Sequence, residues 1–565
     1  AQRAPAGELV HQTAPSDAVI DEFFPVKTEA TDRGLVLDLA QNHSGIPVIS
    51  VSGRPGQVIR IWPAERLDAG GFPDQRSTGS PHYYQYTLKG EGTESWQPRF
   101  SYYGYRWLLI EGAVTEDMPN PQGLPVLHSV KSLFLSNAME ETGSFSCSNE
   151  IFNGAHRLIR NAVRSNAHAV FTDCPHREKL GWLDQLQFNG PGLFYGYDLR
   201  RFAPKVMRDM ADAQHPDGMV PTTAPEYTSF TGQWECFSNS PEWGSAFIVW
   251  PLLYHRFYGD DTLLKEYYPR MMAYLDYLGG RAEDGILDFG LGDWYDYSGV
   301  QSGFAQNTPV NVVASAQYYL DILAMKEASL ILGEAARADS LDALAAVTKE
   351  QYNAAFLHTD EDGRAWYGSG SQASNALALH LGLVPEKYHD AVLESLLADI
   401  AARGCRLTTG EITSRALYSV LDREGLNEVV FALHNHYDAP GYGRQLSLGA
   451  TTLTEQWDPA FGNSLNHFML GHLDEWFYYA LAGIRHDGNG AVTVRPQVVG
   501  DISWVKASTL IPRGILKVDW KLSEDGFFTL GVGVPEGARI RVILPDGSDM
   551  GLCEDGYNEF KIRLK

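Results

Sequence analysis

The spacing of apolar residues changes twice along this chain of 565 residues, and no single uniform fold can satisfy it. Between about residues 31 and 115 apolar positions alternate, as at 34–39, 48–52, 58–62, 83–88 and 106–111. Turn signals such as Gly53-Arg54-Pro55-Gly56 separate these stretches. A period of two broken by Gly and Pro predicts half-buried antiparallel strands, here a β-sandwich. From about 146 to 486 the apolar spacing becomes three to four, as at 149–168, 198–214, 243–258, 262–279, 309–334, 338–356, 386–403, 424–436 and 464–483. That spacing predicts helices, the first of them capped by Asn149. Beyond 487 alternation returns at 514–520, 527–532 and 539–544. Such a length also exceeds what one compact core holds.

The expected organisation is a tail and incoming strand over 1–30, a β-sandwich over 31–115 and a linker over 116–145 containing Pro119, Pro121 and Pro125. A helical domain over 146–486 and a second β-sandwich over 487–565 follow. No fixed-period repeat is visible, so periodicity alone leaves solenoid, bundle and closed ring all open.

The densest chemistry lies in Asp173-Cys174-Pro175-His176-Arg177-Glu178-Lys179-Leu180-Gly181-Trp182. Pro175 is incompatible with a helix interior and biases Cys174 toward extended backbone, so the run reads as a loop or helix entrance. Carboxylates, a guanidinium and a flat indole within ten positions are what holding a sugar and protonating its leaving oxygen require. A surface turn with an ion pair is the plainer alternative. The formal net charge of -25 repels nucleic acid and anionic membrane, and neither is expected as a partner. No apolar run is long enough to span a membrane. The five cysteines are widely spaced without a Cys-x-x-Cys, so neither a zinc site nor a disulfide framework is expected. Asp360-Glu361-Asp362-Gly363 resembles the start of a calcium loop but lacks the later ligands, and reads as a hairpin turn. Without a Gly-rich phosphate loop or a serine elbow, no metal and no cofactor are expected. The chain starts at Ala1 rather than Met; a removed leader and an artificially trimmed terminus would each explain this, and the periplasm or outside is expected, with the cytoplasm as the alternative.

Thr172 through Glu178, followed by Gly181-Trp182, resembles the signature loop of the α-L-rhamnosidases of glycoside hydrolase family 78. Leu291-Gly292-Asp293-Trp294 resembles that family's Gly-Asp-Trp segment, and Thr451-Thr452-Leu453-Thr454-Glu455-Gln456-Trp457-Asp458 its second acidic motif. Ser464-Leu465-Asn466-His467, Gly471, Glu475-Trp476 and Ala482-Gly483-Ile484 resemble the segment that follows. Trp96-Gln97-Pro98-Arg99-Phe100 and Tyr103-Gly104-Tyr105-Arg106 resemble the end of its preceding β-domain. The matches keep the family's order through nearly the whole chain.

The resemblance implies an (α/α)6 barrel between two antiparallel β-sandwich domains. It implies an inverting exo-hydrolase that removes terminal α-L-rhamnose from a glycan or glycoside. Glu178 is then the general acid, its pKa raised by burial against an apolar face such as Trp182. Glu455 is the general base that activates a water. Asp173 and Arg177 hold sugar hydroxyls, although Asp173 could equally cap a helix. Trp182, Trp243 and Trp294 wall the pocket or belong to the core. His467 donates to the sugar from a helix. One position departs from the family: where many members carry a carboxylate seven residues after the acid, this chain has Gln185, preceded by Asp184. Two other readings stay open: a related exo-glycosidase or polysaccharide lyase on an (α/α) barrel, and a glycan-binding relative without catalysis.

Overall fold

The computed structural model describes residues 10–299, 303–461, 463–488 and 490–564. Residues 1–9 of the expected tail lie outside the described residues. A nine-stranded sheet comes first. Its main order is Asp17–Phe23, Val126–Asn137, Leu35–Ser52, Tyr103–Glu111, Val58–Ala64 and Tyr84–Thr87. The stretches expected as two strands at 34–39 and 48–52 are one strand of 18 residues, Leu35–Ser52. Its register against Tyr103–Glu111 slips between Asp38 and His43. There Ala40 takes a φ of 66°, and its N–H donates to Asp38 Oδ1 at 2.8 Å. Before this bulge the strand pairs with Lys27–Ala30; after it, with Val126–Asn137 and Thr93–Trp96. Bulges bend a strand and re-aim its side chains, and this one delivers Asn42 to the helical domain, where its N–H donates to Thr451 Oγ1 at 2.9 Å.

One expected boundary changes. Asp17–Phe23, within the expected tail and incoming strand, pairs with Val126–Asn137. The stretch 116–145, read as a linker, contains Val126–Asn137, which lies between Asp17–Phe23 and Leu35–Ser52. Its prolines end at Pro125, one residue before that strand, so every donor of the ladder is present. Nor is pairing antiparallel throughout: Val114–Thr115 runs parallel to the start of Val126–Asn137, and Ala491–Val494 runs parallel to Ile540–Ile543.

Ser144–Cys147 pairs with Trp504–Ile511 in the C-terminal five-stranded sheet, so the chain enters the helical domain from that sheet. Glu150–Asn166 then starts the helices, with Asn149 accepting from Phe152 N at 3.0 Å. Long helices follow at Ala246–Tyr258, Thr262–Arg281, Val310–Leu332 and Ala335–Phe356. Gln372–His380 escapes periodicity because residues 372 to 379 are all buried, leaving no polar face. The stretch 464–483, expected as a helix, becomes helical only at Leu473–Trp476. Upstream of it the chain runs as a loop, with Ser464 N donating to Glu455 and Leu465 N to Glu65.

The helices and the C-terminal sheets share one apolar core, joined where Trp520 Nε1 donates to Leu481 O at 2.7 Å. The N-terminal sheet has its own core around Leu37, Ile49, Ile61 and Leu108. Inside the helical core, Asp321 accepts from Ser245 Oγ at 2.5 Å, and burial pushes its carboxyl up to about 8. A carboxyl raised in the folded state adds stability that is complete below the unfolded value of about 4 and is lost as pH rises through about 8. Asp321→Asn keeps the acceptor and removes the titration. The wild-type melting temperature should therefore fall more steeply than that of Asp321→Asn between pH 6 and pH 8.5; parallel curves would contradict the assignment.

Candidate active site

Two loops of the helical domain carry the acidic motifs, and the N-terminal sheet grips both. The first follows the helix Glu150–Asn166, where Thr172 N donates to Asn166 O at 2.8 Å and Asp173 N to Leu180 O at 3.0 Å. Gly104 of the sheet donates its N–H to Pro175 O at 2.9 Å. A Cβ at Gly104 would lie 2.5 Å from Pro175 Cγ, so only glycine permits this approach. Lys179 lies over the rings of Tyr102 and Tyr103, 4.1 and 4.4 Å from their centroids. The second loop is held by Glu65, a buried carboxylate in the bend that follows the strand Val58–Ala64. Its Oε2 accepts from Leu465 N at 2.7 Å and its Oε1 from Asn42 Nδ2 at 2.9 Å. Arg66 Nη2 adds a bond to Asn463 O at 2.8 Å.

Between these loops lies a cavity of about 650 Å³. Asp173, Arg177, Glu178, Trp182 and Gln185 line it from the first loop and the short helix after it. Trp243, Trp294, Glu455 and His467 line it from elsewhere in the domain. The structure thus brings every sequence-chosen residue to one cavity. Arg177 stands at its centre: Nε donates to Glu178, Nη2 lies 3.5 Å from Glu455 Oε1, and Nη2 also lies 3.9 Å from Asp173 Oδ2. Glu455 is further fixed by Ser464 N at 2.8 Å and by Tyr295 Oη at 3.2 Å.

The ionisation differs from what the sequence suggested for Glu178. Its side chain retains 31% exposure at the cavity mouth. Burial opposes its charge, but Arg177 and hydrogen bonding with Asp173 outweigh burial and hold its carboxyl down to about 2. Asp173 moves the other way: full burial, then the charge of Glu178, push it well above the usual carboxylate range. The two lie close together, with oxygens inside a 4.8 Å cluster, so ionisation of one opposes ionisation of the other. Trp182 lies 5.4 Å from Phe230, ring to ring. His467 sits on the loop before Leu473–Trp476 rather than on a helix, and burial lowers its pKa to about 4, so the ring is neutral.

Asp173, Cys174 and Glu178 form the one group of described residues close enough to share a metal ion. Arg177 already occupies the cation position on Glu178, and burial pushes the Cys174 thiol up, keeping it protonated. This donor set does not suit a metal.

Sequence reasoning missed several lining residues. Phe230, Trp234, Phe237 and Phe304 form an aromatic rim; the density of rings in 230–237 was the available signal. Tyr295 adjoins the Gly-Asp-Trp segment and bonds Glu455. Asp184 and Glu411 also line the cavity and belonged to no expected role.

Comparison with known proteins places these features in a family. The model of the bacterial alpha-L-rhamnosidase 6 hairpin glycosidase domain matches residues 140–481. The concanavalin-like domain of the same group matches 28–134 and its C-terminal domain 483–558. An alpha-L-rhamnosidase of Formosa agariphila is 29% identical over 564 residues, covering 94% of this chain and 58% of that protein. The structure of alpha-L-rhamnosidase from Dictyoglumus thermophilum superposes with a TM-score of 0.89 at 27% identity, covering 97% of this chain and 64% of that one. Streptomyces avermitilis alpha-L-rhamnosidase complexed with L-rhamnose superposes with a TM-score of 0.87 at 27% identity, covering 98% of this chain and 54% of that one. The chain therefore spans a little over half the length of these relatives.

Glu65→Ala would leave Asn42 Nδ2 and Leu465 N–H without their buried acceptor, at about 1–3 kcal/mol each. The variant should lose about 2–6 kcal/mol in urea denaturation followed by tryptophan emission. An unchanged midpoint would mean that the sheet does not hold the second loop.

Proposed function

The chain belongs to the bacterial α-L-rhamnosidase family, and from that membership and the cavity we propose that it hydrolyses terminal α-L-rhamnosides with inversion. The carrying observation is Arg177, whose one guanidinium touches both glutamates. A shared guanidinium keeps the two carboxylates within about 9 Å, compatible with the roughly 6.5–9.5 Å that leaves room for a water between acid and base. The rhamnose complex of the Streptomyces avermitilis relative supports the sugar assignment. The helical domain is proposed to close as an (α/α)6 barrel. Its first helix, Glu150–Asn166, packs on Tyr442–Ser447 and Leu473–Trp476 at the domain's far end, which supports a ring.

Glu178 acts as the general acid and Glu455 as the general base. The proton held on Asp173 passes to Glu178, and Glu178 gives it to the glycosidic oxygen as the bond to the anomeric carbon breaks. Glu455 takes a proton from water, whose oxygen forms the new bond on the opposite face. The products are free rhamnose and a protonated aglycone. Pairing with Asp173 supplies what a lone Glu178 beside Arg177 lacks, a proton available near neutral pH. Arg177, Gln185 and His467 supply polar contacts to the ring, and Trp182, Trp243 and Trp294 supply apolar faces. A polysaccharide lyase would have to neutralise a uronate, yet five carboxyl side chains and a single guanidinium line this cavity.

Glu178→Gln and Glu455→Gln should each lower turnover on a natural rhamnoside by at least ~10²-fold with folding intact. With a nitrophenyl leaving group, which needs little protonation, Glu178→Gln should recover far more than Glu455→Gln. Near-full activity of Glu178→Gln on a poor leaving group would overturn its role.

A further inference from the structure

Lys179 follows Glu178 in the chain, does not line the cavity and has no part in the hydrolytic step described above. Its φ is 58°, in the left-handed region that a lysine enters only at a cost. Such a residue turns the chain sharply. Glu178 therefore lines the cavity while Lys179 lies against the N-terminal sheet. Its Nζ stands 4.1 Å and 4.4 Å from the ring centroids of Tyr102 and Tyr103 and donates to the carbonyl of Tyr102.

No anion accounts for a cation in this place. Lys179 is half-buried, and no carboxylate pairs with it among the described residues. The acidic group that faces it from its own loop is Cys174, whose thiol burial pushes well up. His82 faces it from the segment before Tyr84–Thr87, stacked on Tyr103 with ring centroids 3.8 Å apart. Burial lowers that ring to about 4, so it is neutral. Burial also lowers Lys179 itself to about 8. For a lysine this direction means that the charge costs the fold stability below about pH 8, and that the cost fades as pH rises toward the unfolded value of about 10.5. Lysines are rarely buried unless paired. The reason for this one lies in what it touches.

Among the described residues, the sheet bonds the backbone of 173–180 at one point, where Gly104 N donates to Pro175 O at 2.9 Å. The loop closes on itself where Asp173 N donates to Leu180 O at 3.0 Å. Lys179 supplies a second grip on the sheet, and the two grips bracket Arg177 and Glu178. With one grip the turn would be free to rotate about Pro175; with two its direction is set. A donor on a carbonyl fixes an angle, and a cation over two ring faces is held in place by both. We propose that Lys179 is a positioning residue: held between Tyr102 and Tyr103, its ammonium fixes the backbone behind Glu178 and aims that carboxyl at the leaving oxygen. This goes beyond the hydrolytic reading and rests on it for the role of Glu178. Aim matters, because a displacement of about 1 Å can lower a rate by ~10²-fold.

Two substitutions test it. Lys179→Met keeps the length of the side chain and removes donor and charge. Lys179→Arg keeps both, in a guanidinium that stacks on ring faces. Hydrogen exchange followed by mass spectrometry reads the loop without any substrate. In Lys179→Met the amides of 102–106 and 173–182 should exchange about tenfold faster or more, with the rest of the chain unchanged, and Lys179→Arg should restore their protection. Kinetics reads the aim. Lys179→Met should lower kcat on a natural rhamnoside about tenfold, with KM within about threefold of wild type, and Lys179→Arg should recover most of that loss. With a nitrophenyl leaving group, which needs little protonation, the loss should be much smaller. In a Glu178→Gln background Lys179→Met should cost almost nothing more. Unchanged exchange in the two segments, equal losses on the two substrates, or an additive cycle would each overturn the inference. A wild type that cleaves no rhamnoside sinks the hydrolytic reading alone, and exchange then decides whether Lys179 holds the loop.

Discussion

Glu65 is the buried carboxylate on which the geometry of the site depends. It sits in the bend after Val58–Ala64 of the N-terminal sheet, yet it accepts from the backbone of the loop whose neighbouring residue, Ser464, holds Glu455. The same sheet holds the other acidic loop through Gly104 and Pro175. Apolar packing cannot do this work, because the sheet's core is separate from that of the helices. Hydrogen bonds fix direction as well as distance, and a constellation of two opposed carboxylates needs both. The N-terminal sheet is therefore a working part of the site and not a lateral appendage.

The cavity's second constraint is charge. Asp173, Glu178, Asp184, Glu411 and Glu455 surround the single guanidinium of Arg177. Five acids crowded around one cation oppose one another's ionisation. Asp173 is pushed up by burial and then by Glu178, and Glu411 by burial and then by Asp184.

What could be read from the residues follows from whether the signal was local. The cluster from Asp173 to Trp182 was legible because its members are contiguous, and all three layers of architecture were legible from apolar period. Glu455 has no local mark of function; only the ordered resemblance to a family picks it out. The pair of Asp184 and Glu411 was invisible, since its members come from segments separated by most of the helical domain. The stretch 464–472 carries apolar residues at helical spacing, yet folds as a loop whose first backbone donors reach Glu455 and Glu65. The stretch 116–145 looked like a linker because its prolines cluster before Val126 and hide the strand behind them. The ionisation of Glu178 was misjudged for a similar reason: burial was foreseeable, but the placement of Arg177 and Asp173 around it was not.

The most direct measurement on the central claim is the anomer released first. Proton NMR of an α-L-rhamnoside incubated with the chain, sampled faster than mutarotation, distinguishes the two products. Glu178 and Glu455 acting on opposite faces with a water between them give β-L-rhamnose first, with the α-anomer appearing only as the sugar equilibrates. Initial release of α-L-rhamnose would mean that one of the two carboxylates attacks the sugar directly, and would contradict the account.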